Sequence, residues 1–239
     1  MTIQTRTIDY THDGVTFEGL LAWDDTASGP RPAVAVAHAW AGRSAFEDGK
    51  ARALAEAGYV GFAMDVYGKG KRGSNNEENA ALMTPLVQNR PLLQARLGAA
   101  LATLAQQPEV DAQRLAAIGF CFGGLSVLDM ARCGLPLRGV VSFHGLFTPP
   151  GNTAGRRIDA KVLALHGWDD PMAKPEAVLA FAQEMTAAGA DWQLHAYGGT
   201  MHAFTNPQAN DPGFGTVYSA RADARSWQAM RNFLAEVLA

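Results

Sequence analysis

Polar and apolar positions alternate through TIQTRTIDY and again through VTFEGLLAW, and the turn signal HDG stands between the two runs. This period of two predicts an opening antiparallel hairpin. The pattern then changes. PAVAVAHA is short, continuously apolar and β-rich, the signature of a strand buried on both faces, and SAFEDGKARALAEAG behind it has helical spacing and a closing glycine. YVGFAMDVYG repeats the strand type. KGKRGSNNEEN reads as a polar loop, and the alanine- and leucine-rich stretch to Gln107, broken near Pro91, reads as two helices.

RLAAIGF is the next buried strand, followed by a helix after Gly123, the strand RGVVSFHG, the irregular LFTPPGNTAGRR and the strand KVLALHG. PEAVLAFAQEMTAAG predicts a helix, DWQLHAYGG a strand, and SARADARSWQAMRNFLAEVLA a closing helix. Strands separated by helices of this length predict an α/β class: a mostly parallel twisted sheet with an N-terminal antiparallel hairpin and helices on both faces. Ligands of such sheets bind at the carboxyl ends of the strands. No repeat or linker divides the chain, so residues 1–239 are expected to form a single domain.

Composition narrows the function. With 48% hydrophobic and 18% charged residues the chain is that of a folding globular protein, and its formal charge of -3 with scattered basic residues speaks against a nucleic-acid or membrane-surface partner. The N-terminus lacks the charged start and apolar run of a secretory signal, and no stretch reaches membrane-spanning length. A cytoplasmic protein acting on a small molecule, as a monomer or small homo-oligomer, is expected. In that compartment Cys121 and Cys133 are not expected to pair.

The chemistry gathers around GFCFGG. Almost no sequence separates the strand ending near Gly119 from the helix starting near Phe122, so the chain must reverse within a residue or two, and the flanking glycines supply the space. G-x-C-x-G is the cysteine form of the nucleophile elbow. It lifts the thiol above the sheet edge and sets it at a helix N-terminus, where partial positive charge favours thiolate, with the Phe122 N–H as an oxyanion donor. The bland reading is a small apolar side chain filling a tight corner. Against it stand the partners a nucleophile needs, a base and an acid that orients the base, arriving in the order nucleophile, acid, histidine. Asp169 and Asp170 follow KVLALHG, and of the two Asp170 is the expected acid, with Asp169 capping or solvated. His202 follows DWQLHAYGG. Among the other histidines, His12 falls in the hairpin turn and His195 within a strand. His38, His144 and His166 each close a strand, yet none has the close spacing of a metal set, so pocket walls or hydrogen-bond donors are expected in place of a zinc site.

Taken together, GFCFGG, HGWDDP, MHAF, AHAWAG and YVGFAMDVYG resemble the dienelactone hydrolase family, α/β-hydrolases with a cysteine nucleophile, over nearly the whole chain. The resemblance implies the α/β-hydrolase fold, Cys121 as nucleophile, His202 as base, Asp170 as orienting acid, and an oxyanion hole from the N–H groups of Phe122 and Trp40. It implies a carboxymethylenebutenolidase-type or carboxylesterase activity on small esters or lactones, through an acyl-enzyme and without a cofactor or metal. Two positions depart from the family pattern. Ala39 stands where a glutamate commonly contacts the resting thiol, and Asn206 stands where an arginine holds the carboxylate of dienelactone. The strand ends predict an aromatic pocket in which His38, Phe143, His144, Trp168 and Phe204 take part, with Trp40 and Phe147 beside them. Lys69, Lys71 and Arg72 are read as a solvated loop. The rival readings are a redox-responsive thiol protein, with Cys133 as resolving partner at the far end of the helix, and a non-catalytic binding protein on the same scaffold.

Overall fold

The computed structural model describes residues 2–26 and 28–239. Strands β1 (Ile3–His12) and β2 (Val15–Asp24) pair antiparallel in unbroken register. Asp13 and Gly14 join them at φ 47° and 73°, the two left-handed positions of a tight hairpin turn for which Asp-Gly is favoured. The following strands are β3 (Arg31–Ala37), β4 (Val60–Met64), β5 (Val110–Phe120), β6 (Gly139–Phe143), β7 (Lys161–Gly167) and β8 (Trp192–Tyr197). Helices α1 (Ala45–Glu56), α2 (Asn76–Gln88), α3 (Arg90–Ala105), α4 (Phe122–Arg132), α5 (Pro175–Ala187) and α6 (Ala220–Val237) alternate with them. The eight strands form one sheet in the order β1-β2-β4-β3-β5-β6-β7-β8. The pairs β3–β4, β6–β7 and β7–β8 are parallel, whereas β2 joins β4 antiparallel. The chain falls into two compact units, Met1–Ala117 and Ile118–Ala239.

In the first unit the helices begin where the sequence supplies caps. The Ser44 hydroxyl accepts from the Phe46 N–H, and Glu47 completes a capping box, its Oε2 accepting from the Ser44 N–H at 2.9 Å and the Ser44 hydroxyl at 2.7 Å. Asn75 caps α2, and Asn89 both ends α2 and caps α3. Gly61 lets α1 lie directly on β4, since a Cβ there would come within 2.2 Å of the Ala51 carbonyl oxygen.

The second unit is built around stacked aromatic rings, Phe120 on Phe143 at 4.7 Å and Phe147 on Phe181 at 4.5 Å. In α6 the positions Met230, Phe233, Leu234 and Val237 are buried, the i, i+3, i+4, i+7 stripe of an amphipathic helix, and Phe233 and Val237 press on Gly139 of β6. Buried Arg132 ties α4 to α5 through two hydrogen bonds to Glu184, at 2.9 and 2.6 Å, and donates to the Phe147 carbonyl at 2.8 Å. One small element lies where the hydrophobic pattern predicts nothing. Strands β9 (Asn210–Asp211) and β10 (Thr216–Val217) form a two-stranded hairpin too short to show a period. Among the described residues no helix is long and apolar enough to cross a membrane.

Candidate active site

Strand β5 ends at Phe120 and α4 begins at Phe122, so Cys121 alone makes the connection. It does so at φ 57° and ψ -114°, a conformation that costs a residue with a Cβ and persists only where surrounding contacts enforce it. Those contacts are specific. The Cys121 N–H donates to the Phe143 carbonyl at 3.0 Å, and its own carbonyl accepts from the Leu125 N–H at 3.1 Å. The glycines make the turn possible because backbone fills the space a side chain would need. A Cβ at Gly119 would lie 2.0 Å from the Gly123 oxygen, and one at Gly124 would lie 2.7 Å from the Gly145 Cα. Neither neighbour can swing aside. Gly119→Ala is therefore expected to cost about 3 kcal/mol of stability, at the upper end of overpacking effects. Urea unfolding measures it, and a loss below about 1 kcal/mol would show that the elbow has slack.

His202 and Asp170, 1% and 2% exposed, meet with Nδ1 and Oδ2 at 2.7 Å. The other carboxylate oxygen, Oδ1, accepts from the Met172 N–H at 2.8 Å. An ionised carboxylate only accepts, so Nδ1 carries a proton and Nε2 is the atom left for chemistry. Nε2 is buried and, among the described residues, meets no partner in full hydrogen-bond geometry, although Cys121 lies near enough to act on the ring. Burial opposes charge on this ring, but its interactions with Cys121 and with Asp170 outweigh it and raise the His202 pKa to about 10. The stability this proton brings is complete below the unfolded-state value and is lost as pH rises toward about 10.

The ring of His202 is supported by neighbours. His144 lies edge-on to it at 5.1 Å, Phe204 lies edge-on to His144 at 5.1 Å, and His144 Nε2 is hydrogen-bonded to the Thr205 hydroxyl at 2.8 Å. Among the described residues four without a glycine's freedom have positive φ, and three of them are Cys121, His144 and Ala203. Backbone strain is concentrated at this cluster, as is usual where geometry serves chemistry.

The remaining expected residues separate. Trp168 is 45% exposed and lies after β7. Phe143 and Phe204, expected in the pocket, are completely buried, and Phe147 is buried as well. His38, also expected in the pocket, spends both ring nitrogens in its own unit, Nδ1 on the Ala39 carbonyl at 2.7 Å and Nε2 accepting from the Val66 N–H at 3.2 Å. The Trp40 carbonyl accepts from the Tyr67 hydroxyl at 2.9 Å. At the glutamate position of the family pattern, the Ala39 N–H donates to Glu47 Oε1 at 3.2 Å, so that carboxylate is engaged in holding the loop and the start of α1. Asn206 turns its side-chain oxygen onto the Gln208 N–H at 3.0 Å. His195 and Asp169 are exposed. Cys121 and Cys133 are both free, and Cys133 caps the far end of α4, about 18 Å along the helix at 1.5 Å per residue. No group of three or more His, Cys, Asp or Glu among the described residues is arranged to hold a metal ion.

His166 is the residue whose situation the sequence understates. It is fully buried, packed against Phe147 at 5.5 Å and Trp168 at 6.4 Å, and neither ring nitrogen has a hydrogen-bond partner among the described residues. Burial pushes its pKa down, with Asp170 opposing that shift and His202 adding to it. The folded protein holds this ring neutral while the unfolded chain protonates it at an ordinary value, so stability present above that value is lost as pH falls through it. His166→Leu is expected to lose less stability than wild type between pH 7 and pH 5 in urea titrations. Equal losses would place the acid sensitivity elsewhere.

A model of the dienelactone hydrolase family matches residues 17–238. The solved structure of m3DLH is 40% identical, with a TM-score of 0.94 and 99% of each chain covered. A dienelactone hydrolase-like promiscuous phosphotriesterase from metagenomic libraries is 38% identical, with a TM-score of 0.93 and the same coverage. A Yersinia pestis protein named "Putative carboxymethylenebutenolidase" is 29% identical over 90% of this chain and 82% of its own. A chain matched along this length, with a mostly parallel eight-stranded sheet, belongs to the dienelactone hydrolase family of ester and lactone hydrolases, on the α/β-hydrolase fold.

Proposed function

We propose that this protein hydrolyses small neutral esters or lactones through a thioester on Cys121, with His202 and Asp170 as its proton-transfer pair. The observation that carries the reading is the buried imidazole of His202, bonded to Asp170 at 2.7 Å through one ring nitrogen and close enough to Cys121 for that residue to raise its pKa. The thiolate attacks the carbonyl carbon and the oxyanion is held by the Phe122 N–H, at the first position of α4. As the intermediate collapses, the Nε2 proton passes to the leaving oxygen and the C–O bond breaks, giving the alcohol and the thioester. His202, now neutral, takes a proton from water, which attacks the thioester. The acid departs and the thiolate–imidazolium pair is restored. Asp170 keeps Nδ1 protonated throughout.

Asn206 in place of an anion-holding arginine favours uncharged substrates over carboxylate-bearing lactones. In this reading no cofactor takes part, no nucleic acid or membrane is a partner, and the enzyme works in the cytoplasm as a monomer or small homo-oligomer. The two free thiols suit a reducing compartment. The test is a screen of short p-nitrophenyl esters, lactones and a neutral aryl phosphotriester, followed by acid quench and mass spectrometry. An acyl adduct on the peptide carrying Cys121, removed by hydroxylamine, is the expected result. Turnover with the adduct on another residue, or none with any substrate, overturns the proposal.

A further inference from the structure

The hairpin β9–β10, absent from any reading of the hydrophobic pattern, brackets His202 from both sides. The His202 N–H donates to the Gly215 carbonyl at 3.0 Å, and the His202 carbonyl accepts from the Val217 N–H at 3.1 Å, so His202 bridges Thr216 as a short parallel pair. The hairpin is itself closed, by the Tyr218 N–H on the Ala209 carbonyl at 2.9 Å and by the Phe214 N–H on the Asp211 carboxylate at 2.9 Å. Its other face meets the acid loop. Gly215, at φ 85°, lies flat on the ring of Pro171, and a Cβ there would come within 2.2 Å of the Pro171 Cγ and 2.8 Å of its Cδ. Pro171 directly follows Asp170.

A closed path therefore runs from Asp170 through Pro171 and Gly215 to the backbone of His202, and back across the 2.7 Å contact between the two side chains. At their roots the two loops are also joined, by the Asp169 N–H on the Thr200 carbonyl at 2.9 Å, and Gly167 has room for no side chain against the carbonyls of Thr200 and Met201 at 2.6 Å each. Without the hairpin, the segment from Met201 onward is joined to the acid loop, among the described residues, at those roots and through the His202 side chain. Ala203, at φ 56°, shows that the backbone beyond the histidine is held in a conformation it does not favour.

We propose that the β9–β10 hairpin is the device that sets the His202 imidazole against Asp170 and Cys121, with Gly215 as its positioning residue. The proposal deepens the hydrolase reading and rests on it for its effect on turnover, but not for its effect on the thiol. Gly215 touches neither substrate nor reacting atoms. It acts by permitting a contact that only hydrogen can fit, so adding one methyl lifts the hairpin from Pro171 and moves the histidine backbone with it.

Gly215→Ala is expected to lower kcat on a p-nitrophenyl ester by about 10- to 100-fold, the scale of a catalytic group misplaced by about 1 Å, with KM changed by less than about threefold. The rate at which iodoacetamide alkylates Cys121 at pH 6 should fall in parallel, because the thiolate loses its imidazolium partner. Gly213→Ala is the control. It lies in the same turn, without positive φ, and its added methyl would meet only the Asp211 carboxylate oxygen at 3.4 Å, so both readouts should stay at wild type. In the double variant Pro171→Ala/Gly215→Ala the obstructing ring is gone while the strain of an alanine at φ 85° stays, so both readouts should recover in part, by about fivefold over Gly215→Ala. Where Gly215→Ala does not fold, Pro171→Ala alone loosens the same contact and should shift the alkylation profile in the same direction. Wild-type kcat and alkylation in Gly215→Ala, or an unshifted profile in Pro171→Ala, overturns the proposal. If wild type turns over no ester, the hydrolase reading fails while the alkylation profiles still decide this one.

Discussion

Cys121→Ala is expected to lower kcat/KM for a p-nitrophenyl ester by at least about 10³-fold, leaving what oxyanion donors and binding alone supply. The fold should survive, because Cys121 is only partly buried and its side chain makes no capping bond to α4, but the unfolding midpoint near neutral pH should fall, because the variant loses the largest influence holding the His202 proton. Cys121→Ser is the more informative companion. The largest influence raising the His202 pKa is the charge of the thiolate, which a hydroxyl does not carry at neutral pH. With that charge gone, burial acts on the ring with only Asp170 to oppose it, and His202 should become neutral at a lower pH than in wild type. The serine variant should then behave as an enzyme that needs a base to deprotonate its nucleophile, slower than wild type at every pH and with its acid limb moved. Equal rates in wild type and both variants would remove Cys121 from the reaction.

Asp170→Asn is expected to lower kcat by about 10² to 10⁴-fold, the range seen when the orienting acid of such a pair is neutralised. The carboxylate does two things here. It accepts the Nδ1 proton of His202 at 2.7 Å, and it is one of the influences that keep the buried ring charged. An amide of the same shape keeps the packing and the bond from the Met172 N–H, but can offer its NH2 to Nδ1 and so stabilise the wrong tautomer, with the proton on Nε2. The alkylation rate of Cys121 at pH 6 should fall in the same variant. A variant that lost kcat but kept wild-type alkylation would assign Asp170 to the water-activating half of the cycle alone.

Much of this arrangement is legible in the residues themselves. Buried strands announce themselves by continuous apolar runs, so β3, β5 and β7 fall within a few residues of their expected bounds, and Asp13-Gly14 declares its hairpin by turn chemistry. GFCFGG is legible for a steric reason: the glycines at 119 and 124 stand where backbone meets backbone, and only one residue type fits. The order of Cys121, Asp170 and His202 along the chain follows from strand ends lying at one edge of the sheet. What fails to show is whatever depends on burial after folding. Phe143 and Phe204 end strands or follow them as pocket residues do, yet tertiary packing covers them entirely. The two-residue strands of the β9–β10 hairpin carry no periodic signal, and the fit of Gly215 to Pro171 joins positions that nothing local in the sequence connects. His166 looks like its neighbours His38 and His144, and only its surroundings set it apart.

The single-residue link between β5 and α4 also bears on how such a protein can vary. Each residue added to a helix turns it by about 100°, and each residue added to a strand flips its faces, so an insertion or deletion at Cys121 would rotate α4 out of register with the sheet or invert the strand leading to it. The irregular stretch between β6 and β7 has no comparable constraint, since its length sets neither the facing of a strand nor the phase of a helix. Variation in length, whether by natural drift or by design, is therefore channelled away from the elbow and into the surface loops, while Cys121 keeps its place above the sheet.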